Sequence, residues 1–183
     1  MCATVFELMA VEPIHLEQTF QIRSRPDVLF RLVADPKRRI RWDKNLRVFQ
    51  YVGEEKLERG ARVKLRLITR LGGLVMYARY SQLSAPNRFT LESEKPGGFI
   101  ARFEQSWIFK PVPGGSEVTS KFTVLPRYKF GRKMIERLVH SLVGETLLGL
   151  QRQVDSQMAN LMEEMSKEMA EKQKREKRQK KKK

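Results

Sequence analysis

Four polar residues sit where the pattern otherwise reads apolar: Thr69, Tyr80, Gln105 and Ser120. Each shares the two-residue period of a half-buried strand with large hydrophobic neighbours. A buried polar group without a partner costs about 1–3 kcal/mol. Such residues bond to one another or to water, or they orient the polar end of a ligand. Glu145 reads as lying at the edge of an apolar helical stripe, where solvent exposure is expected. Metal chemistry is not signalled. The two histidines, His15 and His140, have no His-x-x-x-His, Glu-x-x-His or cysteine pair beside them. His140 therefore reads as structural. Gly72-Gly73 and Gly114-Gly115 read as hairpin turns rather than as a phosphate loop. No cofactor or metal is expected.

The elements that must position these residues are legible from periodicity. A strand is expected over 14–23, with Ile14, Leu16, Phe20 and Ile22 on one face. Ser24-Arg25-Pro26-Asp27 then opens a short helix: proline suits the first turn and Asp27 the dipole. Pro36 ends it, and a second short turn follows over 37–41. Six strands are expected over 46–52, 61–71, 74–83, 88–94, 99–109 and 117–125, divided by Gly, Pro and Asn turn signals. Short connections imply an antiparallel meander.

Alternation places Val63, Leu65, Leu67, Thr69 and Leu71 inward, then Met76, Ala78 and Tyr80. It also places Phe99, Ala101, Phe103, Gln105, Trp107 and Phe109 inward, and Val118, Ser120, Phe122 and Val124. A helix over 128–169 closes the chain, with a stripe of Ile135, Leu138, Leu142, Leu150, Val154, Met158, Leu161 and Met165. Gly144 and Gly149 cost about 1 kcal/mol each there relative to Ala. Two readings stand: another element comes close at these points, or a weakness is tolerated.

The 183 residues are 40% hydrophobic, enough for one domain with a real core. The expected organisation is an extension over 1–13, a domain over 14–166 and a basic, disordered tail over 167–183. No apolar run is long enough to span a membrane. The first residues lack the basic start of a secretory signal, and Cys2 is the only cysteine. A cytoplasmic location is expected, with the option of a peripheral place at a membrane. Net charge is +16, with a surplus of seven positive charges over 167–183 and +9 on the rest. That balance suits transient contact with ribosome, RNA or anionic membrane. A solubilising surface is the plainer alternative. Candidate basic residues are Arg62, Lys64, Arg66, Arg70 and Arg79 on the outer sheet face, and Lys180, Lys181, Lys182 and Lys183 in the tail. Glu92, Glu94 and Glu104 stand ready to pair with the sheet cations.

The order of elements, with Phe20-Gln21-Ile22, Ser24-Arg25-Pro26, Val28-Leu29-Phe30, Ala34-Asp35-Pro36, Trp42, Gly60, Trp107 and Phe109, resembles the START/Bet v 1-like superfamily. It is most similar to the polyketide cyclase/dehydrase and coenzyme Q-binding protein branch. The resemblance covers about 14–165 and implies an α+β helix-grip fold: a curved seven-stranded antiparallel sheet around a long C-terminal helix. It implies a cavity between sheet and helix, lined by Phe20, Leu67, Tyr80, Phe103, Gln105, Trp107, Phe122, Leu138 and Leu142. Its mouth would be framed by Gly72-Gly73, Pro96-Gly97-Gly98 and the start of the helix near Pro126–Phe130. The function so implied is a carrier or chaperone for a hydrophobic small molecule, such as a lipid, quinone or polyketide-like aromatic. The alternatives are a cyclase/dehydratase, with Tyr80, Gln105 and Glu145 as acid–base candidates, and an interaction protein of ribosome, RNA or anionic membrane.

Overall fold

The structure, a computed structural model, describes residues 11–69, 72–129 and 131–180, with side chains described through residue 172. Residues 1–10 with Cys2, Arg70, Leu71, Phe130, Lys181, Lys182, Lys183 and the side chain of Lys180 lie outside the described part.

The elements run β1 (Ile14–Ile22), α1 (Pro26–Ala34), α2 (Pro36–Arg39), β2 (Leu46–Tyr51), β3 (Arg62–Leu67), β4 (Val75–Ser84), β5 (Arg88–Ser93), β6 (Ile100–Val112), β7 (Gly115–Pro126) and α3 (Arg132–Lys180). The seven strands form one antiparallel sheet in the order β1-β7-β6-β5-β4-β3-β2. Each hairpin joins neighbours in sequence. Only β1 crosses over, to pair with β7 in a register that sets Ile14 against Val124. This is the expected α+β helix-grip architecture.

Local rules account for the two short helices. Pro26 occupies the first turn of α1 with Asp27 behind it. Asp35 stands between α1 and α2 and accepts the Lys37 backbone N–H at 2.9 Å, capping α2 ahead of Pro36.

The concave face of the sheet is covered in two parts. Over its middle lies α1, and there Phe30, Tyr80, Phe89, Trp107 and Phe109 form a continuous aromatic cluster with centroid separations of 5.8–6.4 Å. α3 packs chiefly over β1 and β7 and buries Ile135, Val139, Leu142, Val143, Leu147, Leu150 and Val154.

Period-two expectations hold over most of the sheet and fail at strand ends. Thr69 is exposed, because β3 stops at Leu67 before its parity can carry it inward. A bulge between Ile100 and Arg102 shifts the start of β6, so Ile100 is buried while Phe99 and Ala101 are half-buried. α3 also differs from expectation. It begins at Arg132 and continues as one helix to Lys180, through the segment expected to lose order. Among the described side chains its buried face ends at Val154: Met158, Leu161 and Met165 of the expected stripe are 44%, 53% and 60% exposed, since no sheet lies beneath them.

Candidate functional site

The front half of α3 and the sheet strands β2–β7 enclose a cavity of about 50 Å³. Apolar walls come from Phe49, Leu65, Leu67, Met76, Leu91 and Ile100 on the sheet side, with Phe103 and Phe122 stacked at 5.9 Å. Leu138, Val139 and Leu142 of α3 close the top. Six of the residues expected to line it stand on its wall: Leu67, Phe103, Gln105, Phe122, Leu138 and Leu142.

Three others do not. Trp107 and Tyr80 are fully buried in the aromatic cluster under α1, and Phe20 is half-buried on β1 near the edge of the sheet. Strand parity gave the correct face for all three, but it carries no information about which helix covers that part of the face. The hydroxyl of Tyr80 is committed to the Ala34 carbonyl at 2.5 Å, and burial pushes its pKa well above the usual tyrosine range. Glu145 faces a separate outer groove beside Trp42, Lys44 and Arg152, and its Oε1 accepts the Ser141 hydroxyl at 3.1 Å. Tyr80, Gln105 and Glu145 thus do not converge, and the cavity wall receives only the uncharged amide of Gln105.

One wall of the cavity is polar, and sequence reading missed it. Arg39, Asp43, Asn45 and Thr146 stand there, each less than 5% exposed. Arg39 Nε donates to Asp43 Oδ2 at 3.0 Å, and the guanidinium lies 5.5 and 5.4 Å from the ring centroids of Phe49 and Trp107. Asp43 Oδ1 accepts the Asn45 backbone N–H at 3.2 Å and the Thr146 hydroxyl at 3.3 Å. Asn45 Nδ2 reaches the Leu142 carbonyl and Thr146 Oγ1, both at 3.2 Å. In the sequence these residues lie in a charged, turn-like segment that resembles solvent-facing connection. The available signal was the i,i+4 spacing of Arg39 and Asp43 around Trp42.

The β3–β4 and β5–β6 connections pack against each other. Gly98 has φ +55°, a conformation that favours glycine, and a Cβ there would lie 2.5 Å from Leu74 Cδ2, so the β5–β6 turn packs closely on the β3–β4 side.

On the outer sheet face two of the expected cations, Arg62 and Arg79, are paired. Arg62 makes a bidentate bridge to Glu94 at 2.7–2.9 Å, and Arg79 and Arg102 approach Glu92 at 3.7 and 4.0 Å. Lys64 is half-buried and Arg66 is exposed.

Residues 13–155 match the family model described as polyketide cyclase / dehydrase and lipid transport. None of the curated proteins matches the sequence significantly. Among solved structures, the Zhui aromatase/cyclase from Streptomyces sp. R1128 superposes with a TM-score of 0.71 at 12% identity, over 80% of this chain and 96% of that one. A START superfamily protein from Mycobacterium smegmatis gives 0.68 at 11% identity, over 78% and 97%. A protein from Thermus thermophilus gives 0.65 at 20% identity, over 79% and 98%. At these identities the likeness is one of fold.

Proposed function

The chain belongs to the polyketide cyclase/dehydrase and lipid transport family, and from that premise we propose that it binds and carries a hydrophobic small molecule between its sheet and α3. The observation that carries this reading is the apolar cavity walled by both the sheet and the front of α3. A volume of about 50 Å³ admits water-sized groups and lies well below the ~150 Å³ that accepts a benzene ring. Binding therefore requires Leu138, Leu142 and Phe122 to swing aside. Leu138 is already half-buried at the surface end of the wall. Carriage is favoured over cyclisation because the acid–base candidates are dispersed: Tyr80 is sealed under α1 and Glu145 faces the outer groove. Native mass spectrometry of gently purified protein, followed by addition of a decyl-chain alcohol, tests the reading. A stoichiometric adduct supports it. Protein that stays unliganded in both arms overturns it.

A second role is favoured by one specific observation. Beyond Val154, α3 runs on for ~39 Å. Met158, Leu161, Met162, Met165 and Met169 are all exposed there. Their spacing puts them on one face, with Glu163, Glu164 and Lys167 on the other and Glu168 at the apolar edge. The adjoining 172–183 segment holds nine Lys/Arg and one Glu. An apolar face continued by a polybasic segment suits the surface of an anionic membrane, which supplies both a hydrophobic boundary and negative charge. Co-sedimentation with phosphatidylserine vesicles, compared with phosphatidylcholine vesicles over rising salt, tests it. Binding that is unchanged when 158–183 is removed overturns it.

A further inference from the structure

One buried cation on the cavity wall has most of its hydrogen-bonding capacity unused. Arg39 is 4% exposed, and its planar guanidinium carries five N–H donors. Asp43 Oδ2 takes the Nε–H at 3.0 Å. Among the described residues, no acceptor is hydrogen-bonded to Nη1 or Nη2. Phe49 and Trp107 steady the group instead, with ring centroids 5.5 and 5.4 Å from its central carbon. Aromatic rings attract the cation without consuming an N–H.

Nη1 and Nη2 are not among the fully enclosed polar atoms that lack a partner, so they keep contact with open space. Arg39 lines the cavity, whereas the outer grooves beside it are lined by Arg38 and Arg41. The open space that Arg39 meets is therefore the cavity. A guanidinium with both terminal nitrogens free matches a carboxylate, whose two oxygens accept from the fork together. Asp43 does not fill that role. Its Oδ1 already accepts the Asn45 backbone N–H and the Thr146 hydroxyl, so its charge is shared among three donors. The remaining walls, Leu67, Phe103, Phe122 and Leu142 among them, suit hydrocarbon.

We infer that the ligand is an apolar acid, a fatty or aromatic carboxylate, whose head group pairs with Nη1 and Nη2 of Arg39. This rests on the carrier reading above and specifies the ligand's polar end. The chain behind the head group occupies the space that Leu138, Leu142 and Phe122 vacate when they swing aside.

Three probes of one chain length test it on the full chain at about pH 8: decanoate, methyl decanoate and decan-1-ol. Decanoate should bind roughly ten-fold more tightly than either neutral probe, at one equivalent per chain by native mass spectrometry. In nitrogen-edited proton NMR spectra the Arg39 Nε–H and Trp107 indole signals should shift and saturate at that stoichiometry, because the two groups touch. Arg39→Lys keeps the net charge, so adsorption to the basic surface is unaltered, but it removes the fork. In that variant decanoate should weaken roughly ten-fold and decan-1-ol should be nearly unchanged. Decan-1-ol binding as tightly as decanoate overturns the inference. So does decanoate that binds without moving the Arg39 and Trp107 signals, or that binds Arg39→Lys undiminished. In each of these cases decan-1-ol binding keeps the carrier reading in place. Failure of all three probes to bind overturns the carrier reading, and the inference falls with it. The wild-type affinities and spectra need no substitution, so they decide the matter even if the variant misfolds.

Discussion

Asn45 and Leu142 are tied directly: the Asn45 Nδ2 donates to the Leu142 carbonyl oxygen at 3.2 Å, joining the connector after α2 to the front part of α3. Leu142 also presents its side chain to the cavity. The connector thus fixes the height of the helix above the sheet. The same Asn45 is oriented by Asp43, whose charge is neutralised by Arg39. A chain of four buried polar residues therefore sets the geometry of an apolar space.

Asp43→Ala should be among the most destabilising single changes in this chain. It leaves the Arg39 cation buried and uncompensated and removes acceptors from Asn45 and Thr146. The expected loss is about 3–5 kcal/mol, measured by urea unfolding. A loss below about 1 kcal/mol would place the pair in effective contact with solvent.

Gly149 and Gly144 answer the question left open by the sequence. A Cβ at Gly149 would lie 3.6 Å from the Trp42 ring and from its carbonyl oxygen, which is ordinary contact. At Gly144 the only neighbour within reach is Gln18 Oε1 at 4.0 Å. Gly144→Ala should raise stability by up to about 1 kcal/mol through helix propensity. Gly149→Ala should be neutral to stabilising. Gly149→Leu should destabilise by about 1–3 kcal/mol by forcing Trp42 away. Thermal unfolding of the three variants checks the order.

Stability should fall at alkaline pH through two tyrosines. The pKa of Tyr51 is pushed up to about 12, first by burial and then by the negative charges of Asp35 and Glu55. That of Tyr80 is raised well above the usual range, first by burial. Both folded values exceed the unfolded value near 10, so the neutral phenol is favoured by folding. The Tyr51 contribution is complete below about pH 10 and is lost as pH climbs to about 12, and Tyr80 acts in the same direction. Denaturant midpoints from pH 8 to 12 should decline, and less steeply in Tyr51→Phe. An unchanged slope in that variant would remove Tyr51 from the account.

Shortening α3 should leave the domain intact. Among the described side chains of the helix Val154 is the last that is buried, and the family match ends at 155. A chain ending at residue 157 should keep its unfolding free energy within about 1 kcal/mol, because exposed surface positions contribute little. A chain ending at residue 146 loses Leu147, Leu150 and Val154 from the core and should not fold cooperatively. Circular dichroism melts of the two truncations distinguish the cases.

Period-two alternation and glycine and proline punctuation are local signals, and they were sufficient for the strand series, the inward faces of Val63, Phe103 and Phe122, and the closing helix. The basic stripe was legible as residue types, but its pairing of Arg62 on β3 with Glu94 just past the end of β5, across β4, depended on register. Three matters were decided by tertiary structure alone. Tyr80 and Trp107 went to the aromatic cluster because α1, rather than α3, lies over that part of the sheet. The stripe of α3 divided at Val154 because the sheet beneath it ends, which no helical period records. Arg39, Asp43 and Asn45 became a buried wall because the connector folds under α3, and their charge can be buried only where all three find partners. The sequence by itself determined the fold and the apolar character of its concave face, since both follow from local periodicity. The polar side of the cavity depends on contacts between residues some hundred positions apart, as between Asn45 and Thr146, and only the folded chain brings them together.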